Sequence, residues 1–367
     1  MAEDVGRAIA RINLAAIERN CARLTEALTA GAELCAVVKA DGYGHGAAPC
    51  AAAALHGGAR WLAVATAAEA AALRAAGIEA RLLVMGALTL AEIDVAAAAD
   101  ADVTTWDERF VTALAGRPLR VHVKLDSGMG RLGTRDVDAA RAAVAAVDAA
   151  PGLTLAGVMT HFATADEVGD AFLGEQLAAF APFAAEVKEA HPDAIVHAAN
   201  SAATLREAAT HFDLVRCGVA IYGLDPFQRD PAEQGCEPAL ELRSYVAAVK
   251  PAAPGQSAGY GRRFVAREPT MLATIPIGYG DGVRRALTNN ADVLVRGRRH
   301  PLVGTVSMDN ITVDLGAETD VQCYDDAVLI GDGLLAEEWA RRLDTINYEV
   351  TCALTQRVER RYHHDGA

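Results

Sequence analysis

Short apolar runs rich in β-branched residues recur through the first 230 positions, and alanine-rich amphipathic stretches separate them. The runs predict strands near 34–38 (LCAVV), 61–65 (WLAVA), 81–85 (RLLVM), 102–104 (DVT), 120–125 (RVHVKL), 154–159 (TLAGVM), 195–198 (IVHA) and 213–216 (DLVR). Stretches such as TAAEAAALRAAG and DAFLGEQLAAFAPFAAEVKEA predict the intervening helices, since alanine is the strongest helix former. A leading helix, INLAAIERNCARLTEALTAG, ends at Gly31. Near Pro231, Gly235 and Pro238 the pattern changes to short alternating runs: LELRSYVAAVK, TMLATIPIGYGDG, DVLVRGRRHPLVGTVSMDNITVDL, DAVLIGDG and NYEVTCAL. There only LLAEEWARRL reads as a helix. The expected organisation is an α/β domain over 1–233 and a mainly β domain over 234–367, with residues 1–11 as candidates for the second sheet.

Eight strands, each followed by a helical or turn segment, predict a (β/α)8 barrel of the TIM type; an open doubly wound sheet is the alternative. The polar residues favour the barrel. Lys39, Lys124 with Asp126, His161, Asn200 and Arg216 stand at the carboxyl ends of several different strands, where barrel enzymes assemble their sites. An open sheet would gather them at one switch point.

Composition narrows the class. The formal net charge of −14 argues against a phosphate-backbone partner, so no nucleic acid is expected. No apolar run approaches the roughly 20 residues of a membrane helix, and the start lacks the layout of a signal peptide. Seven scattered cysteines without a C-x-x-C pair fit reduced thiols, a cytoplasmic location and no metal centre.

The segment LCAVVKADGYGHG places Lys39 between a buried strand and a glycine-rich turn. An exposed loop lysine is the plain reading. A Walker-type phosphate loop does not fit, because its lysine follows the glycines. A barrel metal hydrolase does not fit either, because no histidine pair has ligand spacing. A Schiff-base lysine does fit: partial desolvation lowers the amine pKa and makes it nucleophilic toward an aldehyde. Pyridoxal phosphate would bring both an aldehyde and a phosphate. The loops after strands 7 and 8 carry a matching phosphate site, with Ser201 as a helix N-cap in NSAATL and Gly218 in RCGVAIYG. Arg216 lies just before that glycine, able to face the pyridine nitrogen.

AVVKADGYGHG resembles the cofactor-lysine motif of the alanine racemases. KLDSGMGRLG, THFATAD, NSAATL, RCGVAIYGL, the GYG at 259–261, IGYGDG, VSMDN and NYEV resemble the other motifs of that family, in its order. The resemblance spans nearly the whole chain. It implies a pyridoxal 5'-phosphate enzyme that interconverts L- and D-alanine with two bases, Lys39 and Tyr260, the latter reaching in from the second subunit of a homodimer with shared active sites. It implies that Tyr43, Ser201, Gly218, Val219 and Tyr348 hold phosphate, that His161 and Asn200 belong to the ring and its network, and that Arg216 faces the ring nitrogen. It further implies that Arg131 and Met308 contact substrate and that Tyr279 and Asp309 line the access channel. In some members the lysine matching Lys124 is carbamylated. Alternation puts His122, Lys124 and Asp126 on one strand face, near Arg131, so two cations would otherwise conflict there. The usual role of the family in bacteria is supplying D-alanine for peptidoglycan.

One position departs from the pattern. Thr305 stands where the family often has arginine, which makes the channel wider or less charged and opens the choice between alanine and serine. Two rival functions share the architecture or the cofactor. A decarboxylase would carry an acidic residue in place of Arg216 and a catalytic cysteine in the β domain, and neither is evident. A non-catalytic pyridoxal-phosphate carrier would need neither Tyr260 nor residues 234–367.

Overall fold

The computed structural model describes residues 6–365. They form two compact units: residues 17–43 with 47–221, and residues 6–16, 44–46 and 222–365. The amino-terminal strand β1 (Ile9–Asn13) lies in the second unit, although it precedes the first in sequence.

The first unit is a closed barrel. Its strands are β2 (Glu33–Val37), β3 (Trp61–Val64), β4 (Arg81–Val84), β5 (Ala101–Thr105), β6 (Leu119–Lys124), β7 (Leu153–Met159), β8 (Ile195–His197) and β9 (Leu214–Cys217). Adjacent strands pair in parallel, and β9 returns to β2. This closure excludes the open sheet. Every strand coincides with a predicted run to within a residue or two, because strands buried on both faces read as continuous apolar segments. The leading helix is shorter than its pattern, Leu14–Glu26, because Ile9–Asn13 is taken by β1.

The barrel interior is not wholly apolar. Asp102, His122 and His197 are fully buried inside it, and Arg216 is nearly so. Two local devices make room for the His122 ring. The register of β6 against β7 shifts between Val121 and His122, a bulge that re-aims the side chain. Opposite it stands Gly157, where an added Cβ would lie 2.2 Å from the Ile195 carbonyl oxygen and 2.8 Å from His122 Nδ1.

The second unit is built on a nine-stranded sheet. Its remaining strands are β10 (Leu240–Tyr245), β11 (Ala248–Ala252), β12 (Ser257–Ala258), β13 (Phe264–Val265), β14 (Thr270–Ile275), β15 (Asp292–Val295), β16 (Arg298–Val303), β17 (Ile311–Gly316), β18 (Asp326–Ile330) and β19 (Glu359–His363). The sheet order is β11-β14-β17-β16-β15-β18-β10-β1-β19, and β12 and β13 pair separately. The strand β1 is antiparallel to β10 and parallel to β19, so both chain ends are tied into one sheet. NYEVTCAL, read from sequence among the alternating runs, contains the helix Asn347–Cys352 instead. Its buried positions are Asn347, Val350 and Thr351, a three-and-four spacing that belongs to a helix face.

Gly157→Ala is expected to destabilise the protein by about 2–3 kcal/mol, lowering Tm by roughly 5–10 °C, because backbone on the neighbouring strand must move. Differential scanning calorimetry checks this. An unchanged Tm would mean that β7 and β8 have slack to separate.

Candidate active site

The chain leaves β2 through Val38 and turns at Lys39 into left-handed backbone. Ala40, Asp41, Gly42 and Tyr43 have φ of 52°, 53°, 61° and 53°. Left-handed helix costs roughly 1–2 kcal/mol per non-glycine residue, so the turn persists only where its surroundings hold it. The Glu69 carboxylate accepts from the Ala40 N–H at 2.7 Å, and its other oxygen accepts from Ala65 and Thr66 N–H at 2.7 and 3.2 Å. One carboxylate therefore joins the loops after β2 and β3. The Asp41 carboxylate accepts from the Ala47 N–H at 3.0 Å, and the Gly42 N–H donates to the Val38 carbonyl. Lys39 itself is half-buried, with Nζ 6.0 Å from the centre of the Tyr43 ring.

That turn delivers the Tyr43 hydroxyl to the loop after β9. A Cβ at Gly218 would lie 2.3 Å from Tyr43 Oη, so only glycine permits the approach. In the same place Ser201 Oγ accepts from the Gly218 N–H at 3.0 Å and the Ala220 N–H at 3.4 Å. Tyr43, Ser201, Gly218 and Val219 thus converge. Ser201 is not the N-cap expected from the sequence. Asn200 caps the helix Ser201–Arg206, with its side chain accepting from the Ala203 N–H at 2.9 Å.

Arg216 ends β9 and stands almost fully buried. Its Nη2 donates to the carbonyls of Thr160 and Ala198 at 2.9 and 3.0 Å and to His161 Nδ1 at 3.1 Å, and Nη1 donates to His197 Nδ1 at 2.9 Å. Among the described residues, its Nε–H has no partner. Burial pulls the guanidinium down to about 10, still protonated at neutral pH. His161 is held well below its ordinary value by burial and by the cations Arg216, Lys124, Arg131 and Lys39.

Lys124 closes β6, and burial together with the fields of Arg216 and Arg131 depresses its pKa to about 8, against the opposing pull of Asp126. Asp126 cannot neutralise the cluster. Burial would raise its pKa, but N–H donors from Gly130 and Gly128 and the Arg135 side chain hold it below the usual carboxylate range. The barrel unit therefore groups Lys39, Lys124, Arg131, Arg216 and neutral His161, with the Asp126 carboxylate acting on Lys124 while it binds the amides of a backbone loop.

The second unit gathers the remaining candidates. Tyr260 sits between Gly259 and Gly261, both at positive φ, and its side chain is 75% exposed. Thr305 is buried and its hydroxyl donates to the Tyr260 carbonyl at 2.6 Å, so it anchors the turn that presents the tyrosine. The Tyr279 N–H donates to the Ser307 carbonyl and the Gly280 N–H to that of Met308, which brings Tyr279, Met308 and Asp309 to one edge. Asp309 accepts from Arg357 at 2.7 Å. Tyr348 lies on the helix Asn347–Cys352, which is pinned by Asn347 Nδ2 donating to the Asp225 carbonyl and Glu337.

Sequence reasoning missed Glu69, Asp102 and His197. A signal for Glu69 was present, since T-x-x-E at Thr66–Glu69 is a capping box. Asp102 and His197 lie inside short strands, where nothing in the pattern marks a polar contact. All seven cysteines are free, five buried and Cys323 and Cys352 exposed.

The chain matches the family models of the alanine racemase N-terminal domain over residues 12–226 and C-terminal domain over 239–362. It is 43% identical over 367 residues to an alanine racemase of Thermobifida fusca, covering 96% of this chain and 97% of that one. Among solved structures, alanine racemase from E. faecalis aligns with a TM-score of 0.92 at 35% identity, covering 98% of this chain and 100% of that one. Alanine racemase from Bacillus anthracis with bound L-Ala-P aligns with a TM-score of 0.91 at 36% identity, covering 100% and 97%.

Glu69→Gln removes the charge from the acceptor of all three amides and leaves at least one of them facing an NH2 group instead of an oxygen. Losing a charge-assisted bond of about 1.5–3 kcal/mol should speed hydrogen exchange in residues 39–43 by roughly 10- to 100-fold. Mass-spectrometric exchange on that peptide checks it, and unchanged protection would assign the left-handed turn to other restraints.

Proposed function

This chain belongs to the alanine racemase family of isomerases, and from that premise we propose that its barrel mouth binds pyridoxal 5'-phosphate and that Lys39 and the partner subunit's Tyr260 exchange the α-proton of alanine. The observation that carries the reading is the donor set. Buried Lys124 and Arg216, an Arg216 Nε–H without a partner among the described residues and a glycine that admits the Tyr43 hydroxyl suit an anionic ligand with a ring nitrogen and a phosphate.

When bound, that cofactor supplies an aldehyde for the amine and a conjugated ring that accepts the charge left at Cα. The residues do the rest. Lys39 would hold the aldehyde, and its amine would take or return the Cα proton on one face. The phenol of the partner subunit's Tyr260 does so on the other. Tyr43, Ser201, Gly218, Val219 and Tyr348 hold the phosphate. His161 and Asn200 border the ring. Arg216 faces the ring nitrogen as a donor that cannot accept a proton, which leaves that nitrogen unprotonated and the electron sink weak. Arg131 and Met308 face the substrate, and Tyr279 and Asp309 line the channel. Such a protein acts as a homodimer in the cytoplasm and supplies D-alanine for peptidoglycan. Support for the shared site comes from Tyr260, Met308 and Tyr279, large side chains that stay 75%, 51% and 42% exposed on the β unit and would be covered by a partner's barrel.

Lys39→Ala and Tyr260→Phe should each lower racemisation by about 10²–10⁴. After subunit exchange, about half the dimers are mixed and each has one intact site, so activity should recover to roughly a quarter of wild type. A mixture as inactive as its parents, with exchange verified, would place both bases on one chain.

Lys124 has a second expected chemistry. A neutral amine adds carbon dioxide and releases a proton, giving an anionic carbamate that relieves the conflict with Arg131. Because its pKa is lowered to about 8, the neutral fraction grows as pH rises through 8 rather than through 10.5. With 13C-bicarbonate, a carbamate NMR signal should therefore grow between pH 7 and 9, in the range set by that depressed value. Its absence throughout, or its persistence in Lys124→Gln, counts against carbamylation.

A further inference from the structure

A line of buried hydrogen bonds runs from Arg216 through the barrel to Asp102. Arg216 Nη1 donates to His197 Nδ1 at 2.9 Å, His197 Nε2 meets His122 Nδ1 at 2.9 Å, and His122 Nε2 meets Asp102 Oδ2 at 3.0 Å. Asp102 also accepts from Arg81 Nε and Nη2 at 3.1 and 2.9 Å and from Arg120 Nε at 2.5 Å. Asp102, His122 and His197 are wholly buried.

Proton placement along this line is forced from both ends. Arginine can only donate, so His197 Nδ1 must be bare and His197 Nε2 must carry the proton. That proton needs a bare His122 Nδ1, which puts the second proton on His122 Nε2, facing Asp102. Starting from the ionised Asp102, which can only accept, gives the same pattern. Burial keeps both imidazoles neutral, lowering His122 and, more strongly, His197 beside Arg216. Burial alone would raise Asp102, but the His122 bond and the Arg81 and Arg120 charges outweigh it and hold the carboxylate ionised.

Barrel cores of this type are ordinarily packed with branched apolar residues. Placing a carboxylate and two imidazoles there costs free energy unless every group is satisfied. The bulge at His122 and the absence of a side chain at Gly157 leave room for the His122 ring, although an added Cβ at Gly157 would also meet the Ile195 carbonyl.

We infer that Asp102 is a positioning residue for the reaction: through His122 and His197 it fixes one proton order that holds Arg216 as a cation able only to donate, with its Nε–H aimed at the ring nitrogen. The inference rests on the cofactor reading above. Asp102 is itself charge-paired with Arg81 and Arg120, and what it passes to Arg216 is the proton order, so the guanidinium meets neutral acceptors and, among the described residues, its bonds go to no carboxylate.

The test uses holoenzyme with 15N-labelled histidine and cofactor carrying 15N in its ring. In the wild type, His122 and His197 should both show bare Nδ1 and protonated Nε2. Asp102→Asn should move the ring-nitrogen signal and the cofactor absorption band, and lower kcat about tenfold, equivalent to ~1.4 kcal/mol, with KM little changed. Thr104→Val, buried two residues along the same strand and bonded to the Val84 carbonyl, should move neither signal. His122→Gln can still donate toward Asp102 and accept from His197 and should keep the wild-type ring signal, whereas His122→Leu should lose it. This pair keeps the test open if Asp102→Asn does not fold. A protonated Nδ1 on either wild-type histidine overturns the inference. So does an unmoved ring signal in Asp102→Asn, or identical signals in His122→Gln and His122→Leu. If the wild type shows no cofactor band, the cofactor reading has failed instead, and the histidine pattern is still measured independently of it.

Discussion

The barrel must hold positive charge where water is scarce. Lys124 and Arg216 are buried, and burial with the fields of Arg216 and of the exposed Arg131 drives Lys124 down to about 8. Interactions between such groups are worth several kcal/mol at an effective dielectric of ~20. A fold that wanted only stability would place a carboxylate among them. Here Asp126 is turned to the Gly128 and Gly130 amides, and Asp102 stands two imidazoles away from Arg216. Among the described residues, the bonds of Arg216 go to backbone carbonyls and imidazoles and to no carboxylate, a donor set that suits an anionic ligand.

Mechanical restraint follows from the same need. Lys39 stands at a strand end while Tyr43 reaches the loop that carries Gly218. The left-handed run from Ala40 to Tyr43 reverses the chain within a few residues, and Glu69 secures it by binding amides of two successive rim loops. Gly218 completes the approach, since any side chain there would occupy the place of the Tyr43 hydroxyl. In the β unit, Thr305 does comparable work through one hydrogen bond to the Tyr260 carbonyl, a role different from the loosening of the channel that its small size suggests.

Much of the fold was legible because its signals are local. Eight buried parallel strands leave eight apolar runs, and the residues that end them mark the rim. The strand β1 was less legible: its pairing with β10 and β19 is set by residues more than 200 positions away. NYEVTCAL misled because Tyr348, Val350, Cys352 and Leu354 recur at every second position like a strand, while the burial of Asn347, Val350 and Thr351 shows a helix. At the site, Lys39, Tyr43, Ser201, Arg216 and Gly218 were visible through motif and strand-end position. Glu69 and Asp102 were not, because a carboxylate acting on backbone amides or through other side chains leaves no spacing rule to read.

Under the proposed reading, an arginine facing the ring nitrogen would pose an electrostatic problem that the barrel core answers. A carboxylate at that place would keep the nitrogen protonated and the electron sink strong; a donor that cannot accept a proton keeps it weak. A weak sink shortens the life of the charge at Cα, which suits a reaction that only removes and returns one proton and limits side reactions such as transamination. Yet a buried guanidinium needs a counter-charge, and a carboxylate in direct contact would compete for its donors. Neutral acceptors from His197 and His161 and two backbone carbonyls satisfy its Nη donors without such a contact. Each imidazole passes on the polarity of the bond below it while staying neutral, so the negative end can sit beside Arg81 and Arg120, remote from the chemistry. The polar spine is therefore better explained by what Arg216 must not do, which is accept or lose a proton, than by any contribution to packing.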